Sequence, residues 1–219
     1  MDRYVIQFPD QRLAAMCDRV SDFDLARDIV ARMISIAHKI RSEIYQYPRG
    51  FEMAALQIGE PYRIIILQSD YHKDVSQIET TVMVNSEILH ASGEFYNWED
   101  CLSVKDMRAF VKRFGQVQVR YQDLQGKPHE RVFQGNIACD IQHGVDHLNG
   151  VLFFERDMKF LIPWSVYRPL KEQGFGILNA YVVTAYREFD PNQYFGQEEM
   201  KRLGLIHPRQ CLRLSDKLS

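Results

Sequence analysis

His143 and His147 stand four residues apart in the stretch "QHGVDH" (142–147). On a helix that spacing puts both imidazoles on one face, where they can grip a single ion. The pattern H-E-x-x-H carries a Glu after the first His to handle protons. Here that place is taken by Gly144. The pair alone also fits two helix histidines that are merely packed or exposed, so a third ligand has to come from elsewhere. Cys101, in "WEDCLS" (98–103), is the candidate. Taken alone, it reads equally as a small buried hydrophobe.

The elements that must position these groups follow from periodicity. Leu25, Ile29, Met33, Ile36 and Ile40 recur at helical spacing within 21–45, and Ser21 or Asp22 can cap that helix. Short β-branched runs at 63–68, 80–85, 116–123 and 129–135 read as strands, the last two joined by a "DLQGKP" turn. A second helix carries the histidines. Asn136 is its expected cap, Ile137, Ile141 and Leu148 its apolar face, and Gly150 its stop. The expected class is α+β, one buried helix set against antiparallel sheet. Residues 157–219 have a different texture, with aromatics among many Pro and Gly breakers. They read as an extension with a strand at 177–186 and a short helix at 197–204, docked through Trp164, Phe175 and Tyr181.

Composition narrows the setting. The chain has 219 residues and a formal charge of −2, so nothing draws it generally to nucleic acid or anionic lipid. No apolar run is long enough to span a membrane, and the N-terminus lacks signal-peptide anatomy. Cys17, Cys101, Cys139 and Cys211 are scattered and read as thiols or ligands, not as a disulfide framework. The expectation is a cytoplasmic protein.

Three stretches together resemble the peptide deformylase family. "GFEMAALQ" (50–57) is similar to G-x-G-x-A-A-x-Q, "EDCLS" (99–103) to E-G-C-L-S, and "QHGVDHLNG" (142–150) to Q-H-E-x-D-H-L-x-G. The order and spacing match, and the resemblance covers about residues 4 to 156. It implies antiparallel sheets around a central metal-binding helix in a domain of 1–156, with 157–219 packed on that domain. It implies a metal-dependent hydrolase of protein biosynthesis that removes the formyl group from N-formyl peptides.

By the same resemblance, Cys101, His143 and His147 are the metal ligands, leaving a fourth position open. Thiolate plus imidazole suits Zn²⁺, Fe²⁺, Ni²⁺ or Co²⁺, and the family favours Fe²⁺ and Zn²⁺. Gln57 and the backbone N–H of Leu102 hold the oxyanion. Gly50 and Arg108 contact substrate. Glu99 pairs with Arg113 to brace the Cys segment, and Asp146 orients a ligand or anchors the helix.

Three positions depart from the family's pattern. Asp100 and Glu52 stand where the motifs have Gly, and Gly144 stands where the motif has its catalytic Glu. A Gly became Glu on one wall while a Glu became Gly on the other. The pattern suggests a migrated carboxylate, with Glu52 as general base. Its competitor has Glu52 in solvent, or ligating the metal and silencing it. Two functions stay open: hydrolysis of an N-formyl or related N-acyl amide, and a degenerate relative that binds metal or ligand without turnover. The extension would cover part of the cleft or form a homodimer contact.

Overall fold

The computed structural model describes residues 4–43, 51–68, 79–164 and 167. Helix α1 spans Phe23–Glu43 and helix α2 spans Asn136–Leu148. The strands are β1 (Phe51–Ala54), β2 (Ile64–Gln68), β3 (Thr81–Cys101), β4 (Val104–Gln122), β5 (Pro128–Gln134) and β6 (Met158–Pro163). They form one antiparallel sheet in the order β1-β2-β3-β4-β5, with β6 added against β4. The expected α+β class with one buried helix on antiparallel sheet is what is found.

Strand alternation decides which side each helix covers. Met53, Ile64 and Ile66 pack in one core with Ile29, Met33 and Ile40 of α1. Ala54, Ile65 and Leu67 point the other way and pack with Ile141, Val145 and Leu148 of α2. The β1–β2 end of the sheet is therefore buried on both faces. This explains why β2 reads as a continuous apolar run. Glu52 lies between Phe51 and Met53, so alternation sends its side chain to the α2 side.

Several local expectations need correction. Asn136 is not the α2 cap. Gly135 holds that place at φ 65°, and its lack of a side chain leaves the first turn without a side-chain cap. Ile137 is 37% exposed, because it sits at the open N-terminal end of the helix. Leu25 also faces outward, while Ala26, Val30 and Ala37 complete the buried stripe of α1. Asp22, by contrast, accepts from the backbone N–H of Asp24 and Leu25, as a cap should.

Strands β3 and β4 run far beyond the segments the sequence marks. Their polar, interrupted stretches pair with each other from Val84 to Cys101, with register shifts that the period-two pattern does not reveal. "WEDCLS" forms the end of β3 and a tight turn. β6 carries the sheet past residue 156. The elements expected at 177–186 and 197–204, docking by Phe175 and Tyr181, the homodimer contact and Gly50 all lie outside the described residues.

Candidate metal centre

β3 ends on Cys101, and Leu102 and Ser103 turn the chain into β4. Glu99 and Cys101 are two apart on a strand and so share a face. That face meets α2. The Sγ of Cys101 lies 3.2 Å from Nε2 of His147, and Nδ1 of His143 lies 3.1 Å from Oε2 of Glu99. The ligand atoms of Cys101, His143 and His147 all fall within 4.8 Å of one another, and all three residues are buried. Three soft-to-borderline donors converging in a dry site are the donor set expected for a divalent transition-metal ion.

Around the triad the side chains are tied down. Nε and Nη2 of Arg113 donate to the two oxygens of Glu99 at 2.7 and 2.8 Å, and Nη1 donates to Asp146 at 2.7 Å. Arg156 donates to the other oxygen of Asp146. Burial raises the Glu99 carboxyl, but Arg113 and His143 outweigh it and hold it below the ordinary range. Glu99 is thus an anion set against His143, fixing that ring so that its Nε2 is left for a ligand role. In the metal-free chain burial opposes a charge on either histidine. His143 is nevertheless raised by Cys101 and Glu99, while His147 is lowered.

Gln57 is held from both ends. Its Oε1 accepts from the Ala54 N–H at 2.9 Å, and its Nε2 donates to Ser103 Oγ at 3.1 Å and approaches Cys101 Sγ at 3.6 Å. The N–H of Ser103 also points at that sulfur, at 3.4 Å. Leu102 is buried in the same turn, its carbonyl accepting from Gln7.

Glu52 reaches the site from β1. Its Oε1 is fully buried with no hydrogen-bond partner, although the residue as a whole keeps partial exposure. A Cβ added to Gly144 would stand 2.7 Å from that oxygen. The carboxylate therefore fills the space where a side chain at 144 would begin. Burial pushes its pKa up to about 8, with His143 pulling the other way. The other two acids near the motif turn elsewhere. Asp146 faces Arg113 and Arg156, and Asp100 lies 3.4 Å from Arg108.

Arg108, read from sequence as a substrate contact, donates to the Trp98 carbonyl at 2.9 Å. Its guanidinium carbon lies 4.6 Å from the Trp164 ring centre and 4.2 Å from that of Tyr167. The chain following β6 is thus packed on it. Four features were missed in the sequence: the Glu99–His143 contact, the Ser103–Gln57 bond, Arg156, and Ile65 beside Gly144. The first had a signal, since Glu99 precedes Cys101 by two and reading 98–101 as strand would have paired them.

The sequence profile of the family described as "Polypeptide deformylase" matches residues 3–160. The chain belongs to this family. It is 31% identical over 151 residues to a peptide deformylase of Desulfotalea psychrophila, covering 69% of this chain and 85% of that one. It is 34% identical over 154 residues to one of Afipia carboxidovorans, covering 70% and 85%. Among solved structures, a Legionella pneumophila peptide deformylase superposes with a TM-score of 0.60 at 31% identity, covering 70% of this chain and 84% of that one. A Met-Ala-Ser-bound class I type b peptide deformylase from Acinetobacter baumannii gives 0.59 at 34%, covering 70% and 96%. Peptide deformylases are hydrolases that use a single metal ion to remove N-formyl groups. Among the described residues no helix is long and apolar enough to cross a membrane.

Proposed function

We propose that this deformylase relative hydrolyses an N-formyl, or related N-acyl, amide, with Glu52 as the general base. The observation that carries the reading is the buried, unpartnered Oε1 of Glu52 in the space left by Gly144. A buried carboxylate oxygen without a partner is costly and asks for a proton or a ligand. The donor set suits one divalent cation held by Cys101, His143 and His147, Fe²⁺ or Zn²⁺ on the family's precedent. When bound, such a cation supplies Lewis-acid polarisation and makes a neighbouring water more acidic.

The chain's own groups do the rest. Glu52 takes a proton from the attacking water at Oε1 as the water oxygen bonds to the formyl carbon. The Nε2 of Gln57, fixed by the Ala54 N–H on the far side of its amide, and the N–H of Leu102 face the oxygen on which charge develops. The C–N bond then breaks, formate leaves, and the amine takes the proton from Glu52. Glu99, through His143, and Arg113, through Glu99, hold the ligand geometry. Arg108 belongs to the walls that position substrate.

The test is formate release from N-formyl peptides by the metal-loaded full chain, alongside metal analysis. About one equivalent of metal with turnover supports the reading. One equivalent of metal with no turnover of any N-formyl or N-acyl amide leaves the binding-only alternative.

A further inference from the structure

The N-terminal segment bonds the backbone on both sides of the Cys101 sulfur. The N–H of Ile6 donates to the Gln57 carbonyl at 2.7 Å, and that of Phe8 to the Ser103 carbonyl at 2.8 Å. Between them, Nε2 of Gln7 donates to the Leu102 carbonyl at 2.9 Å and to the Val5 carbonyl at 3.3 Å. The Phe8 ring meets Phe154 edge-on, with centroids 5.1 Å apart. Consecutive residues 6, 7 and 8 thus hold Gln57, Leu102 and Ser103.

Leu102 and Ser103 are the loop of a two-residue hairpin, closed by the pairing of Cys101 with Val104. Among the described non-glycine residues only Asn85 and Asp106 take positive φ. The loop therefore lacks the type I′ or II′ backbone whose twist suits such a hairpin, and bonds from outside must help to set it. Its central peptide joins Leu102 to Ser103. The carbonyl of that peptide accepts from Gln7, and its N–H points at Cys101 Sγ at 3.4 Å. One plane is held at both edges, and each bond polarises the group that makes the other. The Oε1 of Gln7 is buried without a partner. Turning the amide over would set that oxygen against two carbonyls and leave both without this donor. The side chain is placed to donate.

Resting on the hydrolase reading, we infer that Gln7 is a positioning residue for the oxyanion turn. It holds the Leu102–Ser103 peptide so that the Leu102 N–H meets the developing charge and the Ser103 N–H meets the Cys101 sulfur. A small misplacement of either is costly to turnover and leaves ground-state binding alone.

The experiment compares the full-length wild type with Gln7→Met, which keeps the stem and loses the donor, and with Gln7→His, whose Nε2–H regains one. Metal-loaded protein is assayed for formate release from N-formyl-methionyl-alanyl-serine, and metal-free protein is followed by amide-proton NMR. Gln7→Met should lower kcat about 10–100-fold, with KM and melting temperature held. Its Ser103 amide proton should move upfield as the bond to sulfur weakens, while that of Ile6 stays. Gln7→His should restore both. Unchanged kcat in Gln7→Met overturns the inference and leaves the hydrolase reading standing. So does an equal loss in both variants, which would make Gln7 a packing residue, or a loss of kcat with the Ser103 amide unmoved. A Ser103 amide that moves in Gln7→Met and returns in Gln7→His, in a chain that cleaves no amide, upholds the hold on the turn and removes the hydrolase reading.

Discussion

The Oε1 of Glu52 lies 2.7 Å from the point a Cβ on residue 144 would occupy, closer than real Cβ contacts allow. The two positions, 92 residues apart in sequence, therefore compete for one space: a side chain at 144 would displace the Glu52 carboxylate from where it now stands. The pairing of Glu52 with Gly144 sets what each variant should do.

Glu52→Gln keeps the shape of the side chain and removes its ability to take a proton. Metal content and melting temperature should hold, while turnover falls by about 10²–10⁴-fold. Formate release under saturating substrate reads this directly. A variant as fast as the wild type would send the search for the base elsewhere.

How much of this was legible beforehand can be said residue by residue. His143 and His147 announce themselves by spacing, and Cys101 by its motif. Helix α2 follows from its apolar positions. Glu52 was visible only as one of two reciprocal departures, because its reach depends on β1 alternation that four residues barely express. Ile65 beside Gly144 was invisible, since it depends on how the helix settles across the sheet. Asn136 misled because a good cap residue follows a glycine whose positive φ, 65°, already turns the chain. The long β3–β4 pairing was hidden by polar residues and by register shifts, which erase a strict alternation.

Cys101→Ala should hold well under one equivalent of metal, because two imidazoles alone make a weaker site. Glu99→Gln should keep the three ligands yet lower metal affinity about 10–100-fold, because His143 loses its anionic brace. It also leaves Arg113 buried with only Asp146 as a charged partner, costing about 3 kcal/mol. Competition with a chelator and urea unfolding measure the two effects separately. Unchanged metal content in Cys101→Ala would remove it from the ligand set.

The metal-free protein should show Glu52 in its pH dependence. The folded-state pKa is about 8 against an ordinary 4.5, because burial disfavours the anion. Between those values the folded chain holds a proton that the unfolded chain has released. The contribution is fully present below pH 4.5 and is lost as pH rises through about 8. Relative to Glu52→Gln, the wild type should lose roughly 3 kcal/mol over that window. Parallel urea unfolding at pH 5 and 8 checks it. A wild type whose stability relative to the variant stayed the same from pH 5 to 8 would place Glu52 in solvent.

Restoring the family's arrangement should take three changes, not two. Glu52→Gly with Gly144→Glu removes the clash between the two carboxyl positions. The new Cβ at 144 would still meet Ile65, at 2.9 Å from Cδ1 and 3.0 Å from Cγ2. The Cδ1 methyl can swing aside, but Cγ2 is fixed by branching at Cβ. The double variant should therefore fold poorly or hold its new Glu off position. Adding Ile65→Ala opens the space, at a cost of about 2–4 kcal/mol for the emptied core. Formate release should then rise at least tenfold over the double variant, at a lower melting temperature. If the double variant already matches the wild type, Ile65 does not constrain residue 144 and α2 shifts to accommodate it.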